Sequence, residues 1–156
     1  MASSPASTCA PGVAASSVSA MEILFIAGFG PIAPNPARTY DFWSGALGVE
    51  FEELAPDYHH AKNLPGAKVF GLWPLAQAAE ATFGSPDWPA DLPVPQAWIE
   101  LEVASADAVA DAAAELRAAG HRILVDAHQE PWGQTTARLL SPEGLLLGLS
   151  YMPDFH

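Results

Sequence analysis

The chain has 156 residues, 50% of them apolar and 15% charged, which is enough to bury one full core. Six basic residues against 18 acidic ones give a formal net charge of −12. That charge opposes phosphate backbones and anionic lipid, so nucleic acid and membrane surfaces are excluded as expected partners.

Residues 1–20 are rich in Ser, Ala and Pro, with neither a basic leader nor an unbroken apolar stretch, and read as a disordered extension rather than a signal peptide. Met21, just before the first apolar run, is a second candidate for the start of translation. Cys9 is the one cysteine, so an intrachain disulfide or a Cys-based zinc site is excluded, and a reducing cytoplasm fits. No apolar run approaches the ~20 residues that span a bilayer.

A first strand is expected over residues 23–30, ending at Pro31. Asn35 then caps a helix with Pro36 in its first turn, Tyr40, Trp43 and Leu47 form its buried stripe, and Gly48 ends it. Strands follow near 49–54, 58–63 and 67–73, the last two joined through Pro65-Gly66. LAQAAEATFG reads as a short helix and SPDWPADLPVP as an irregular connector, in which Trp88 pins the surface while Trp73 and Phe83 cover the core's open end. Beyond it come a strand over 98–103, a helix capped at Ser105 with Val109, Ala113 and Leu116 inward, and strands near 122–127, 135–141 and 145–151. A tight turn at Pro142-Glu143-Gly144 joins the last two.

The order repeats. Residues 25–52 and 97–124 each run strand, capped helix, glycine, strand, which marks a duplicated unit with a site expected between the copies. The expected fold class is α+β, with two tandem βαβββ modules forming curved mixed sheets around a cavity: module one 21–75, linker 76–94, module two 95–153.

DFWSGALGVE, the tail EPWGQTTARLLSPEGLLLGL and the tandem modules together resemble the vicinal oxygen chelate superfamily of glyoxalases, dioxygenases and bleomycin-resistance proteins. The resemblance implies a metal held by His and Glu from the first and last strands of each module. Counting from Phe42-Trp43, Gly66, Val103 and Gly144 places those four slots at Gly28, Phe70, Trp98 and Gly148. None of the four offers a lone pair suited to a divalent cation. No metal and no cofactor are therefore expected. The cavity is expected to carry aromatic faces beside two glycines that leave open volume.

Strand parity puts Glu100 and Glu102 on the face of Trp98, with water at the sheet rim as the plain alternative for both. Trp132, between Pro131 and Gly133, reads as a stacking lid or a packing turn, and beside it Gln134 can donate and accept. The expected ligand-binding set is Phe70, Trp98, Glu100, Trp132 and Gln134, with no catalytic residue. His59-His60 reads as a solvent-exposed pair, since neighbours on a strand point to opposite faces. His128 either pairs with Glu130 or stands solvated.

No nucleophile elbow or phosphate loop is present. The favoured function is metal-independent sequestration of a small organic ligand, aromatic and favoured in cationic form, in the manner of resistance proteins. Their pocket lies between subunits, so the resemblance also implies a homodimer. The alternative is a glyoxalase-like lyase, isomerase or dioxygenase using no metal or relocated ligands such as Glu100, His59 and His128. A regulatory module with a vestigial cavity is the third reading.

Overall fold

The computed structural model describes residues 21–156. The readings made for residues 1–20 lie outside the described residues. Eight strands form one curved open sheet of mixed direction: β1 (Phe25–Ala33), β2 (Phe51–Ala55), β3 (Tyr58–Ala61), β4 (Gly71–Pro74), β5 (Ala97–Glu102), β6 (Val125–Gln129), β7 (Thr135–Leu140) and β8 (Leu146–Tyr151). Their order is β2-β3-β4-β1-β5-β8-β7-β6. Read outward from the centre, β1-β4-β3-β2 repeats as β5-β8-β7-β6, so the sequence duplication becomes a structural one. β1 and β5 join the halves antiparallel, while β1–β4 and β5–β8 are parallel.

β1 runs through Pro31 instead of stopping there. Phe29 donates its N–H to Val69 and Ile32 donates to Gln96 on the opposite side, so by alternation the missing N–H of Pro31 falls at the β4 seam. That seam is tight: a Cβ on Gly30 would lie 1.8 Å from the carbonyl oxygen of Gly71.

Helix α1 (Pro36–Tyr40) starts as expected, with Asn35 Oδ1 accepting the N–H of Arg38 at 3.2 Å. It then loosens into a π-helical turn, Asp41–Ala46, where Leu47 donates to Phe42. Each wider turn rotates later side chains off the face that a regular helix would bury. The expected stripe therefore fails at its end: Tyr40 and Trp43 are half-buried, but Leu47 is 55% exposed. Helix α2 (Leu75–Phe83) occupies the expected short-helix segment and ends at left-handed Gly84. Helix α3 (Ala106–Ala118) is capped by Ser105, whose Oγ accepts the N–H of Ala108. It buries Val109, Ala112 and Ala113 against Val103, Ala137 and Leu149. These small side chains let it sit close on the sheet.

The second cluster, Ile32, Trp73, Ala78, Trp98 and Leu146, lies on the other face of the sheet beneath α2. In the connector, Trp88 donates its indole N–H to the Pro93 carbonyl and meets Phe83 edge-on. Among the described residues no helix is long and apolar enough to cross a membrane.

Candidate functional site

A cavity of about 650 Å³ opens on the concave face. Trp98, Glu100 and Gln134 form one wall, Tyr58 and His60 another, and α2 a third through Gln77 and Ala81. β5 supplies the first wall by parity, since Trp98, Glu100 and Glu102 pair with Leu146, Gly148 and Ser150 of β8 on one face.

Trp98 is 3% exposed, donates its indole N–H to the Gly71 carbonyl at 3.3 Å and packs edge-on against Trp73. Its ring covers Gly28: a Cβ there would lie 3.1 Å from the indole. Gly148 sits between Glu100 and Arg138 in one row across β5, β8 and β7. A Cβ on Gly148 would fall 2.9 Å from Cγ of Glu100. The two glycines, expected from sequence to leave open volume, do not, because the Trp98 and Glu100 side chains already fill the space.

Phe70 does not line the cavity. Its ring stands 5.3 Å from Phe29 and 5.2 Å from Trp43, in an aromatic cluster under α1 that also includes Phe51. The neighbouring Val69, just before β4, lines the cavity instead.

Gln134 is buried and uses both ends of its amide. Nε2 donates to Glu100 Oε1 at 2.9 Å and to Ser150 Oγ at 2.7 Å, while Oε1 accepts from the indole N–H of Trp132 at 2.7 Å. Trp132 is held this way at the cavity mouth, 52% exposed. Behind it, Glu130 is fully engaged: one oxygen faces His128 Nε2 at 2.7 Å and the other takes Arg138 Nη2 at 2.5 Å. Arg138 is buried, donates also to the Ala81 carbonyl and lies 5.3 Å over the Trp73 ring. His128 therefore pairs with Glu130, one of its two expected fates.

Loss of water around Glu100 raises its pKa above the ordinary carboxylate value, and the Arg138 charge and Gln134 amide only partly oppose this. Burial likewise pushes the Tyr58 phenol up, helped by the Glu100 charge, and pushes His60 down against the pull of Glu52. Tyr58 Oη lies 2.5 Å from His60 Nε2.

The histidine pair, expected from sequence to be solvent-exposed, is not exposed. His60 lines the cavity, while His59 turns to the other face and stacks 4.5 Å from Tyr40. Both are half-buried. Tyr58 and His60 share one face of β3 and Arg138 lies on the cavity-side row of β7; period-two alternation along YHHA and TTARLL was the available signal. Glu102 does not meet water: its side chain is buried, and Oε2 accepts from the Met152 N–H and faces His156 Nε2.

The residues in the four inferred metal slots do not fit a divalent cation. Gly28 and Gly148 have no side chain, Trp98 offers only an N–H donor, and Phe70 faces away. The relocated set does not assemble either, since His59 is on the wrong face. Among the described residues no group of three or more His, Cys, Asp or Glu could hold a metal.

No curated protein matches the chain. Among solved structures, a glyoxalase/bleomycin resistance protein/dioxygenase superfamily member from Vibrio splendidus 12B01 has 14% identity and a TM-score of 0.54, over 84% of this chain and 100% of that one. Methylmalonyl-CoA epimerase from Streptomyces coelicolor has 20% identity and a TM-score of 0.50, over 85% and 99%. The Mn(II)-bound glyoxalase from Novosphingobium aromaticivorans has 20% identity and a TM-score of 0.51, over 83% of this chain but 39% of that one. At such identities the likeness is one of fold. Residues 29–149 match the family model described as Glyoxalase/Bleomycin resistance protein/Dioxygenase superfamily, and the chain belongs to that superfamily.

Proposed function

We propose that this protein binds and sequesters a small aromatic molecule without a metal, as resistance-type members of its superfamily do. One observation carries the reading: where a metal would sit, the Trp98 indole and the Glu100 side chain fill the space, leaving beside them a cavity of about 650 Å³ walled by aromatic rings. Such a volume suits a ligand of two or three fused rings, bound mainly by apolar burial and ring contacts. Trp132 closes over it from the mouth. The site set of this reading is Trp98, Glu100, Trp132 and Gln134, joined by Tyr58 and His60; Phe70 supports the sheet from behind. A homodimer of the kind found in resistance proteins belongs to the same reading and is tested by sedimentation equilibrium.

The binding test is titration of the full chain with naphthalene-, quinoline- and acridine-type compounds, followed by tryptophan fluorescence. Saturable one-to-one quenching that is weakened in Trp132→Ala supports the reading. No saturable binding by any of the three ring systems counts against it. The enzyme alternative, a glyoxalase-like lyase, isomerase or dioxygenase, is favoured by the enzymes among its structural neighbours. Turnover of a bound compound would replace the sequestering reading.

A further inference from the structure

Glu100 is the one carboxylate within the cavity walls that is left half-paired. Its Oε1 is held by Gln134 at 2.9 Å, whereas Oε2 has no hydrogen-bond partner among the described residues. By contrast, Glu130 has both oxygens engaged, and Glu80 stands exposed at the rim. Arg138 spends its charge on Glu130 and on the Ala81 carbonyl. No lysine or arginine is among the described residues lining the cavity. The open oxygen therefore has no ion-pair partner among the described residues, and Arg138 acts on it only through its charge at a distance.

Glu100 is half-buried in the cavity wall, so its open oxygen is within reach of solvent, and partial burial favours a proton or a positive charge on it over the bare carboxylate. We infer that the cavity takes an organic monocation, which docks its charge on Oε2 of Glu100 and displaces a proton to solvent. The inference rests on the binding reading above and names its ligand class. The exchange balances: the neutral carboxyl plus the cation gives the carboxylate–cation pair plus one free proton. The groups facing Glu100 set its range. Arg138 from β7 and the Gln134 amide favour the carboxylate, while Glu130, Glu102 on the same strand and burial oppose it. Tyr58 reaches it from β3, close enough for the Glu100 charge to raise the phenol. His60 and His128 line the same space. The rings of Trp132 and Trp98 offer faces to a delocalised charge.

The test compares 1-methylquinolinium, which is permanently charged, with quinoline, which has nearly the same shape and is uncharged at neutral pH. Wild-type and Glu100→Gln protein are titrated at a series of pH values upward from the ordinary carboxylate range, and calorimetry in two buffers of different ionisation heat counts the protons released. The wild type is expected to prefer 1-methylquinolinium by about tenfold or more at the alkaline end, to lose that preference on acidification and to release protons on binding. Glu100→Gln is expected to bind both compounds alike, with neither the cation preference nor its pH dependence. Equal or tighter binding of quinoline by the wild type overturns the inference and leaves the binding reading standing. A cation preference without proton release overturns the proton exchange. Binding of neither compound overturns the inference, and the binding reading then falls only if the naphthalene- and acridine-type compounds also fail to bind. The wild-type proton count needs no variant, so the result does not depend on how Glu100→Gln folds.

Discussion

Nε2 of His156 stands 2.9 Å from Oε2 of Glu102, tying the short turn Pro153–Phe155 to the buried middle of the sheet. Glu102 is wholly buried, and the same oxygen accepts the N–H of Met152. The clip holds Met152 and Phe155 as part of the cavity wall. His156→Ala should cost about 1.5 kcal/mol in urea denaturation, the range for a hydrogen bond to a charged group. Glu102→Ala removes both bonds and should cost more, about 3 kcal/mol. A larger loss for His156→Ala than for Glu102→Ala would contradict the clip.

Arg138 and Glu130 form a buried ion pair at 2.5 Å. Removing the cation alone strands a buried carboxylate, so Arg138→Met should destabilise the fold by about 3–5 kcal/mol. Replacing both partners, as in Arg138→Met with Glu130→Leu, should recover most of that loss. A double-mutant cycle by denaturant unfolding measures the coupling; additive losses would mean that the two charges do not depend on each other.

Glu100 has a raised pKa in the folded chain, so the folded state holds its proton more tightly than the unfolded one. Its contribution to stability is full in acid, below the unfolded carboxylate value of about 4.3, and is lost as pH rises through the folded value. Glu100→Gln cannot ionise and escapes that loss. The melting temperature of the variant relative to wild type should climb with pH across this window, as read by thermal melts at a series of pH values. Parallel curves would show that Glu100 is not desolvated.

Trp98 and Trp132 should separate folding from binding. Trp98 is buried over Gly28, so Trp98→Ala leaves a hole and should cost about 3–5 kcal/mol of stability. Trp132 is half-exposed, so Trp132→Ala should leave the melting temperature nearly unchanged while weakening an aromatic ligand by about 1–2 kcal/mol. A stable Trp98→Ala protein would show that the indole is not filling the slot.

Gly30→Ala tests the seam between β1 and β4. The new methyl would meet the backbone oxygen of Gly71 at 1.8 Å, and backbone cannot swing aside as a side chain can. The loss should exceed about 3 kcal/mol, measured as soluble yield and melting temperature. A normal melt would mean that the strands can part without penalty.

The duplication, the caps at Asn35 and Ser105, the inward face of α3 and the lack of metal-binding side chains at Gly28, Trp98 and Gly148 were legible in the sequence. These features depend on local periodicity, on capping chemistry and on residue identity, which neighbouring positions are enough to specify. Strand parity also placed Trp98, Glu100 and Glu102 on one face, and the amide of Gln134 beside Trp132 offered both a donor and an acceptor. Parity did not reach across the chain. That Val69 rather than Phe70 faces the cavity depends on how β4 registers against β1, and that Leu47 is exposed depends on a π-turn, neither of which a local pattern encodes. Tertiary structure alone decided that Glu100 lies across Gly148, that Arg138 spends its charge on Glu130 and that His156 reaches Glu102. The first and last pair residues distant in sequence, and the Arg138–Glu130 pair forms across the hairpin between β6 and β7, so all three are made by the folded sheet. The unpaired oxygen in the cavity is what those pairings leave over, because burial and charge compensation belong to the packed molecule rather than to any one residue.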